Sequence, residues 1–126
     1  MLDHVSISVS DMECSLRFYT QALEPLGIVR LKSYGETEGV PDHVGFGQGY
    51  KPFLWFKRGE QIRGGVHIAL AAPDRETVDA FFRAALAAGG QDNGPPGLRP
   101  QYHPRYYGAF VLDPDGNNLE AVHHGF

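Results

Sequence analysis

The chain has 126 residues, a formal charge of −4, and 42% apolar and 21% charged residues. That describes one ordinary domain with a real core, and the acidic balance argues against a nucleic-acid or anionic-membrane partner. No apolar run reaches the roughly 18 residues of a membrane span, no basic-then-apolar leader opens the chain, and the single cysteine, Cys14, forbids an internal disulfide; together these predict a cytoplasmic location.

Residues 3–9 alternate, with Val5, Ile7 and Val9 on one face and His4, Ser6 and Ser8 on the other. This predicts a strand. Ser10 and Glu13 fit a capping box, with Asp11 as the alternative cap, for a helix running to about Glu24. Its apolar stripe is Met12, Leu16, Tyr19, Leu23 and Leu26, and Pro25-Leu26-Gly27 closes it. Cys14 falls in the first turn of this helix, where a thiolate would be favoured; an unreactive helix thiol is the simpler reading. Strands follow over residues 27–34, 42–47 and 53–57, the last two separated by the turn Gly49-Tyr50-Lys51-Pro52.

Residues 65–72 predict another strand, with Ile68, Leu70 and Ala72 on one face and His67, Ala69 and Ala71 on the other. Asp74 caps a second helix whose stripe is Val78, Phe81, Phe82, Ala85 and Leu86, and Gly89-Gly90 ends it. Residues 92–105, rich in Pro and Gly, read as mostly loop with room for one irregular strand. Residues 107–112 and 118–124 predict the last two strands, joined by the turn Asp113-Pro114-Asp115-Gly116.

The second half echoes the first. One offset of 63 positions carries His4 onto His67, Asp11 onto Asp74, Phe18 onto Phe81, Gly27 onto Gly90 and Gly45 onto Gly108. The chain is therefore read as a single α+β domain over 1–126, built from two tandem β-α-β-β-β modules at about 1–60 and 64–126. Their sheets are expected to form a cupped, barrel-like mixed sheet with the helices outside.

In both first strands the aliphatic face needs a helix to bury it, and a helix follows at once. The opposite face carries a histidine followed by small residues, so it should line a cavity. In the last strand Leu119 and Ala121 belong to the helix-facing set, which leaves Asn118, Glu120 and Val122 on the cavity side. An unpaired carboxylate on such a face is costly. His4, His67 and Glu120 together match a facial triad that leaves positions open for water or substrate. A hydrogen-bonded surface histidine and a solvated edge glutamate are the ordinary alternatives. The stretch 98–107 gathers Tyr102, Tyr106, Tyr107, His103, Arg99 and Arg105. His103 is a candidate general acid or base and Tyr107 a candidate for orienting a substrate oxygen; a proline-braced surface loop explains the stretch equally well. Trp55, Phe46 and Phe53 are candidates for the cleft wall, with Tyr102 and Tyr106 beside them. His43, His123 and His124 are read as structural or exposed.

Asp3-His4-Val5, Ser15-Leu16-Arg17-Phe18-Tyr19, Val66-His67-Ile68-Ala69 and the closing Asp113-Pro114-Asp115-Gly116-Asn117-Asn118-Leu119-Glu120 resemble the vicinal oxygen chelate superfamily. That group contains glyoxalase I, fosfomycin- and bleomycin-resistance proteins and extradiol dioxygenases. The resemblance covers the whole chain. It implies paired β-α-β-β-β modules, frequent homodimers, and a divalent metal (Fe2+, Mn2+, Zn2+ or Ni2+) in the cupped sheet, with His4, His67 and Glu120 on its ligand positions. The chain departs from the four-ligand glyoxalase I pattern, because Trp55 stands opposite Glu120 and no carboxylate occurs from residue 43 to residue 59. Two functions are carried forward. The first is a divalent-metal-dependent enzyme acting on a small oxygen-rich or aromatic substrate. The second is a metal-free protein that sequesters a small molecule.

Overall fold

The structure is a computed structural model, and it describes residues 3–60 and 66–125. The expected strand start at Gly65 lies outside the described residues. The first half runs β1 (Val5–Val9), α1 (Met12–Leu23), a 3-10 turn over Glu24–Leu26, β2 (Val29–Thr37), β3 (Val40–Gln48) and β4 (Lys51–Arg58). The second runs β5 (His67–Ala71), α2 (Arg75–Ala87), two short strands β6 (Gln91–Asp92) and β7 (Gly97–Leu98), then β8 (Tyr107–Leu112) and β9 (Asn118–His123).

The strands form two separate sheets, β1-β4-β3-β2 and β5-β9-β8-β6, with β7 also on β8. Both sheets are mixed: β1 runs parallel to β4 and β5 parallel to β9, while the other pairings are antiparallel. This is the expected pair of modules, but the sheets are not joined into one closed barrel. The hairpin of β2 and β3 is longer than the sequence pattern suggested. Its two-residue turn, Glu38 and Gly39, takes φ of 52° and 80°, the doubly left-handed turn whose twist matches a hairpin. Polar composition around Glu36 to Glu38 hides this strand end from a hydrophobic pattern.

Each sheet buries one face against its helix. Ile7, Val9, Val44, Phe46, Leu54 and Phe56 meet Met12, Phe18, Tyr19, Ala22 and Leu23 of α1. Leu70, Ala109, Val111, Leu119 and Ala121 meet Val78, Phe81 and Ala85 of α2. The helices also pack on each other, so the two halves share one core.

Asp11 is the cap of α1, accepting from the Cys14 N–H at 3.1 Å, and Asp74 caps α2, accepting from the Thr77 N–H at 2.7 Å. Ser10 is spared from capping because its hydroxyl and its N–H both turn to Asp115, in the turn between β8 and β9. In that turn Asp113 accepts four hydrogen bonds, from the N–H groups of Asp115 and Asn117, from Asn117 Nδ2, and from Tyr19 Oη at 2.6 Å. Asp113, Asp115 and Asn117 are all buried. Burial, reinforced by the Asp113 charge, holds the Tyr19 phenol well above its ordinary pKa, so it stays a donor. The signature turn thus ties the second module to the first through a buried polar knot. Among the described residues no helix is long and apolar enough to cross a membrane.

Candidate functional site

Register decides which side chains share the open face of each sheet. In the second sheet His67 pairs with Asn118, Ala69 with Glu120 and Ala71 with Val122. Across β8, Phe110 pairs with Glu120 and Gly108 with Val122. His67, Glu120, Phe110 and the small residues around them therefore lie on the face away from α2.

Glu120 is the centre of this face. It is only 1% exposed. An unpaired carboxylate so placed would be costly, and this one is paired on both oxygens. His67 Nε2 lies 2.8 Å from Oε1, and the Tyr106 hydroxyl donates to Oε2. Against an ionised Glu120, His67 donates that bond from Nε2. Burial and the hydrogen bond to Glu120 push the Tyr106 phenol far above its ordinary pKa, so it remains a donor. Gly108 makes the space: a Cβ there would lie 3.1 Å from Tyr106 Cε1 and 3.2 Å from Glu120 Oε2. Behind Tyr106 stands a ring cluster. His103 and His124 share a hydrogen bond of 2.9 Å, and Tyr102, His103 and His124 all meet the Tyr106 ring edge-on. His103 Nδ1 accepts the Arg105 N–H at 3.1 Å, which fixes its proton on Nε2, facing His124.

The equivalent face of the first sheet has a different content. Ser6 pairs with Trp55 just as Ala69 pairs with Glu120. The Trp55 indole lies across Gly45, where a Cβ would come within 2.8 Å of it, and Tyr34 stacks on it at 5.7 Å.

His4 and His67 line one open pocket of about 480 Å³ between the edges of the two sheets, with Phe53, Ile68, Ala69 and Ala71 among its walls. They do not converge on one point. His4 Nδ1 turns to Asp3 at 2.9 Å, and Asp3 also receives Lys51. Those contacts hold the Asp3 carboxyl below its usual range. Among the described residues no three His, Cys, Asp or Glu side chains come together as a metal site. One chain thus brings together two of the three expected ligand residues, His67 and Glu120.

Three other expected positions move. Tyr107 is not on the open face: it pairs with His123 on the helix side, its hydroxyl donates to Asp79 at 2.7 Å, and Arg75 lies over its ring. Its neighbour Tyr106 takes the place beside Glu120. Phe46 is fully buried in the α1 core, edge-on to Phe56, and does not wall the cleft. His103 meets the cluster through Tyr106 and His124. Of the expected aromatic set, Trp55 and Tyr106 lie on open faces and Tyr102 is 60% exposed beside Tyr106.

The sequence profile of the Glyoxalase/Bleomycin resistance protein/Dioxygenase superfamily matches residues 1–121. The chain belongs to this superfamily. A glyoxalase/bleomycin resistance protein from Albidiferax ferrireducens is 28% identical, with 97% of each chain covered and a TM-score of 0.74. A putative glyoxalase from Bacillus halodurans is 26% identical, covering 98% of this chain and 95% of its own, with a TM-score of 0.71. A glyoxalase I variant from Zea mays, 20% identical, shares the fold at a TM-score of 0.67 over 96% of this chain and 43% of its own. A search of curated proteins gives no match. The superfamily assignment accounts for the two modules.

Proposed function

We propose that this superfamily member is an enzyme acting on a small oxygen-rich or aromatic molecule at the His67–Glu120–Tyr106 cluster. Glu120 carries the reading. A carboxylate 1% exposed, paired by two side chains on the open face of a sheet, supports a chemical centre there. His67 is half-exposed and holds a proton at Nε2, so it can pass that proton to or from a bound oxygen. Tyr106 keeps its proton and anchors the far oxygen of Glu120. Trp55 and Tyr102 offer aromatic surface to the substrate.

A divalent metal belongs to this proposal as a third component. The donors fit it in part: an imidazole and a carboxylate within 2.8 Å of each other suit a divalent ion, but one chain lacks the third. His67 and Glu120 would hold the ion, with His4 from a second copy of the chain as the remaining ligand, which makes the working unit a homodimer. The ion would supply a Lewis acid for two neighbouring substrate oxygens. A His67 Nε2 that holds the ion carries no proton, so with the ion bound His67 serves as a ligand and not as the proton carrier. The single Cys14 suits a reducing cytoplasm.

Elemental analysis after reconstitution with Fe2+, Mn2+, Zn2+ or Ni2+, alongside light scattering, tests this. The expected result is about one ion per chain in a dimer, lost in each of His4→Ala, His67→Ala and Glu120→Ala. Unchanged metal content in all three variants would sink the metal component.

One observation favours a second reading, a metal-free binding protein. Tyr34, 55% exposed, stacks on Trp55 to form an aromatic platform on the first sheet. Quenching of Trp55 fluorescence by aromatic compounds, insensitive to a chelator and to Glu120→Gln, would select this reading.

A further inference from the structure

The open face of the second sheet carries a further charged group, Arg99, just after β7. Its guanidinium lies over the Phe110 ring, with Cζ 5.4 Å from the centroid. Nη2 donates to the Pro95 carbonyl at 2.7 Å. Two glycines leave room for the head group: a Cβ at Gly94 would lie 3.3 Å from Nη2, and one at Gly97 would lie 3.2 Å from Nη1. The arginine is therefore half-buried and held by stacking, by one carbonyl and by the shape of its loop.

Its neighbours connect it to the reactive cluster. Phe110 is the register partner of Glu120. The His67 ring lies 6.2 Å from the same Phe110 ring. The positive charge also acts on Tyr106, where it opposes the effects that raise the phenol pKa. The ion pairs among the described residues join His4 and Lys51 to Asp3, Arg58 to Asp42, and His67 to Glu120. None of them involves Arg99.

A cation without a carboxylate partner, set in a fixed pose beside a catalytic cluster, is suited to an oxyanion. The guanidinium fork presents parallel N–H donors that match a carboxylate or phosphate, and such charge-assisted bonds are the strong ones. A lysine in this loop would be a mobile point charge; the stacked arginine has already lost much of the freedom that binding would remove. The structural alternative is an arginine that only braces the loop over Phe110. The two differ in what the remaining N–H groups do.

We propose that Arg99 determines specificity by binding the anionic oxygen group of the substrate, a carboxylate or a phosphate. The substrate then spans the Phe110 edge, with its anionic end on Arg99 and its reacting oxygen at His67 and Glu120. This rests on the cluster being the reactive centre, and it adds the substrate class: small organic acids or phosphoesters in preference to neutral molecules.

The test is a nuclear magnetic resonance titration of the 15N-labelled protein with benzoate, phenyl phosphate and benzyl alcohol, in a chelator. Because no metal is present, the outcome is independent of the metal experiment above. Either anion, or both, is expected to shift the Arg99 side-chain N–H signals and to bind at least about tenfold more tightly than the neutral alcohol. Which anion binds better tells carboxylate from phosphate. Arg99→Gln is expected to erase the preference while leaving the weak binding of benzyl alcohol in place. Arg99→Lys, which keeps the charge and loses the fork, is expected to restore part of it. Equal affinity for anions and alcohol in the unaltered protein overturns the proposal. So does an anion preference that survives Arg99→Gln. Should Arg99→Gln fail to fold, the Arg99 side-chain signals of the unaltered protein still decide, since a brace that binds nothing would not shift with benzoate or phenyl phosphate.

Discussion

The hairpin of β3 and β4 and the hairpin of β8 and β9 occupy equivalent places in the two modules, yet they do different work. In the first, Gly45 makes room for an indole, and the connecting turn at Gly49 and Tyr50 hangs in solvent, with Tyr50 91% exposed. In the second, Gly108 makes room for a carboxylate and a phenol, and the turn from Asp113 to Asn117 is a buried knot. The same backbone frame thus yields an aromatic wall in one half and a titratable centre in the other. The two halves share one frame; they differ in what stands at Trp55 and Glu120. Among the described residues one chain therefore presents a single Glu-centred cluster, where two identical modules would present two.

Breaking the knot has the largest expected effect. Asp113→Ala leaves four donors without their acceptor in a buried place, and should cost about 3 kcal/mol or more in urea denaturation. The comparison is sharpened by Tyr50→Ala in the other turn, which should stay within about 0.5 kcal/mol. Equal effects would show that the two turns are not energetically distinct.

The glycines come next. Gly45→Ala forces an indole and Pro52 away from contacts of 2.8 and 2.9 Å, and should destabilise by about 2 kcal/mol with a changed Trp55 emission. Gly108→Ala meets its neighbours at 3.1 and 3.2 Å, and should cost only about 1 kcal/mol. It is expected to impair the reactive cluster, which Gly45→Ala leaves intact. Reconstituted metal content and denaturation midpoints of both variants check this pair. A Gly108→Ala protein with an undisturbed cluster would count against the close fit.

The smallest effect is on titration. The Tyr106 phenol has its pKa raised by burial and by Glu120. A raised folded-state value means that its contribution to stability is present below about pH 10, the ordinary tyrosine value, and is lost as pH rises through the folded-state value. Tyr106→Phe should remove one late-ionising phenol from an ultraviolet pH titration and cost about 1 kcal/mol near neutrality. If the late phenols are as numerous in the variant as before, Tyr106 does not hold its proton against Glu120.

Much of this was legible in the sequence. The offset from His4 to His67 gave the duplication, and the alternation around Val5, Ile7, Ile68 and Leu70 gave the faces of both first strands. The assignment of His67 and Glu120 to one open face rests on the same parity, and the structure brings those two together. Parity also explains the misses. Two residues on one strand share a face only when their separation is even, so Phe110 beside Glu120 draws in Gly108 and the side of Tyr106, and turns Tyr107 to α2. Counting back from the Asp113 turn would have found this. Phe46 fails for the same reason, since Val44, Phe46, Leu54 and Phe56 share the helix side while Phe53 and Trp55 turn to the other face. His4 turns to its own neighbour Asp3, and Asp3 is also held by Lys51 across 48 positions, a contact that no local pattern contains. Arg99 was visible only as one member of a polar-aromatic loop, because its place over Phe110 depends on how β7 pairs with β8.

The bonds from Ser10 and Tyr19 to Asp115 and Asp113 also carry a consequence for synthesis. As the chain leaves the ribosome, α1 and its sheet emerge first, but the acceptors for Tyr19 Oη and the Ser10 hydroxyl lie 94 and 105 residues further on. The first module must keep those groups hydrated, and its inner face incompletely closed, until the Asp113–Asn117 turn has been made. Its β-α-β-β-β order is complete by Arg58, yet its finished state is withheld until the C-terminal turn arrives. Nascent chains arrested before Asp113 should accordingly be far more open to proteolysis around α1 than chains released just after Asn118.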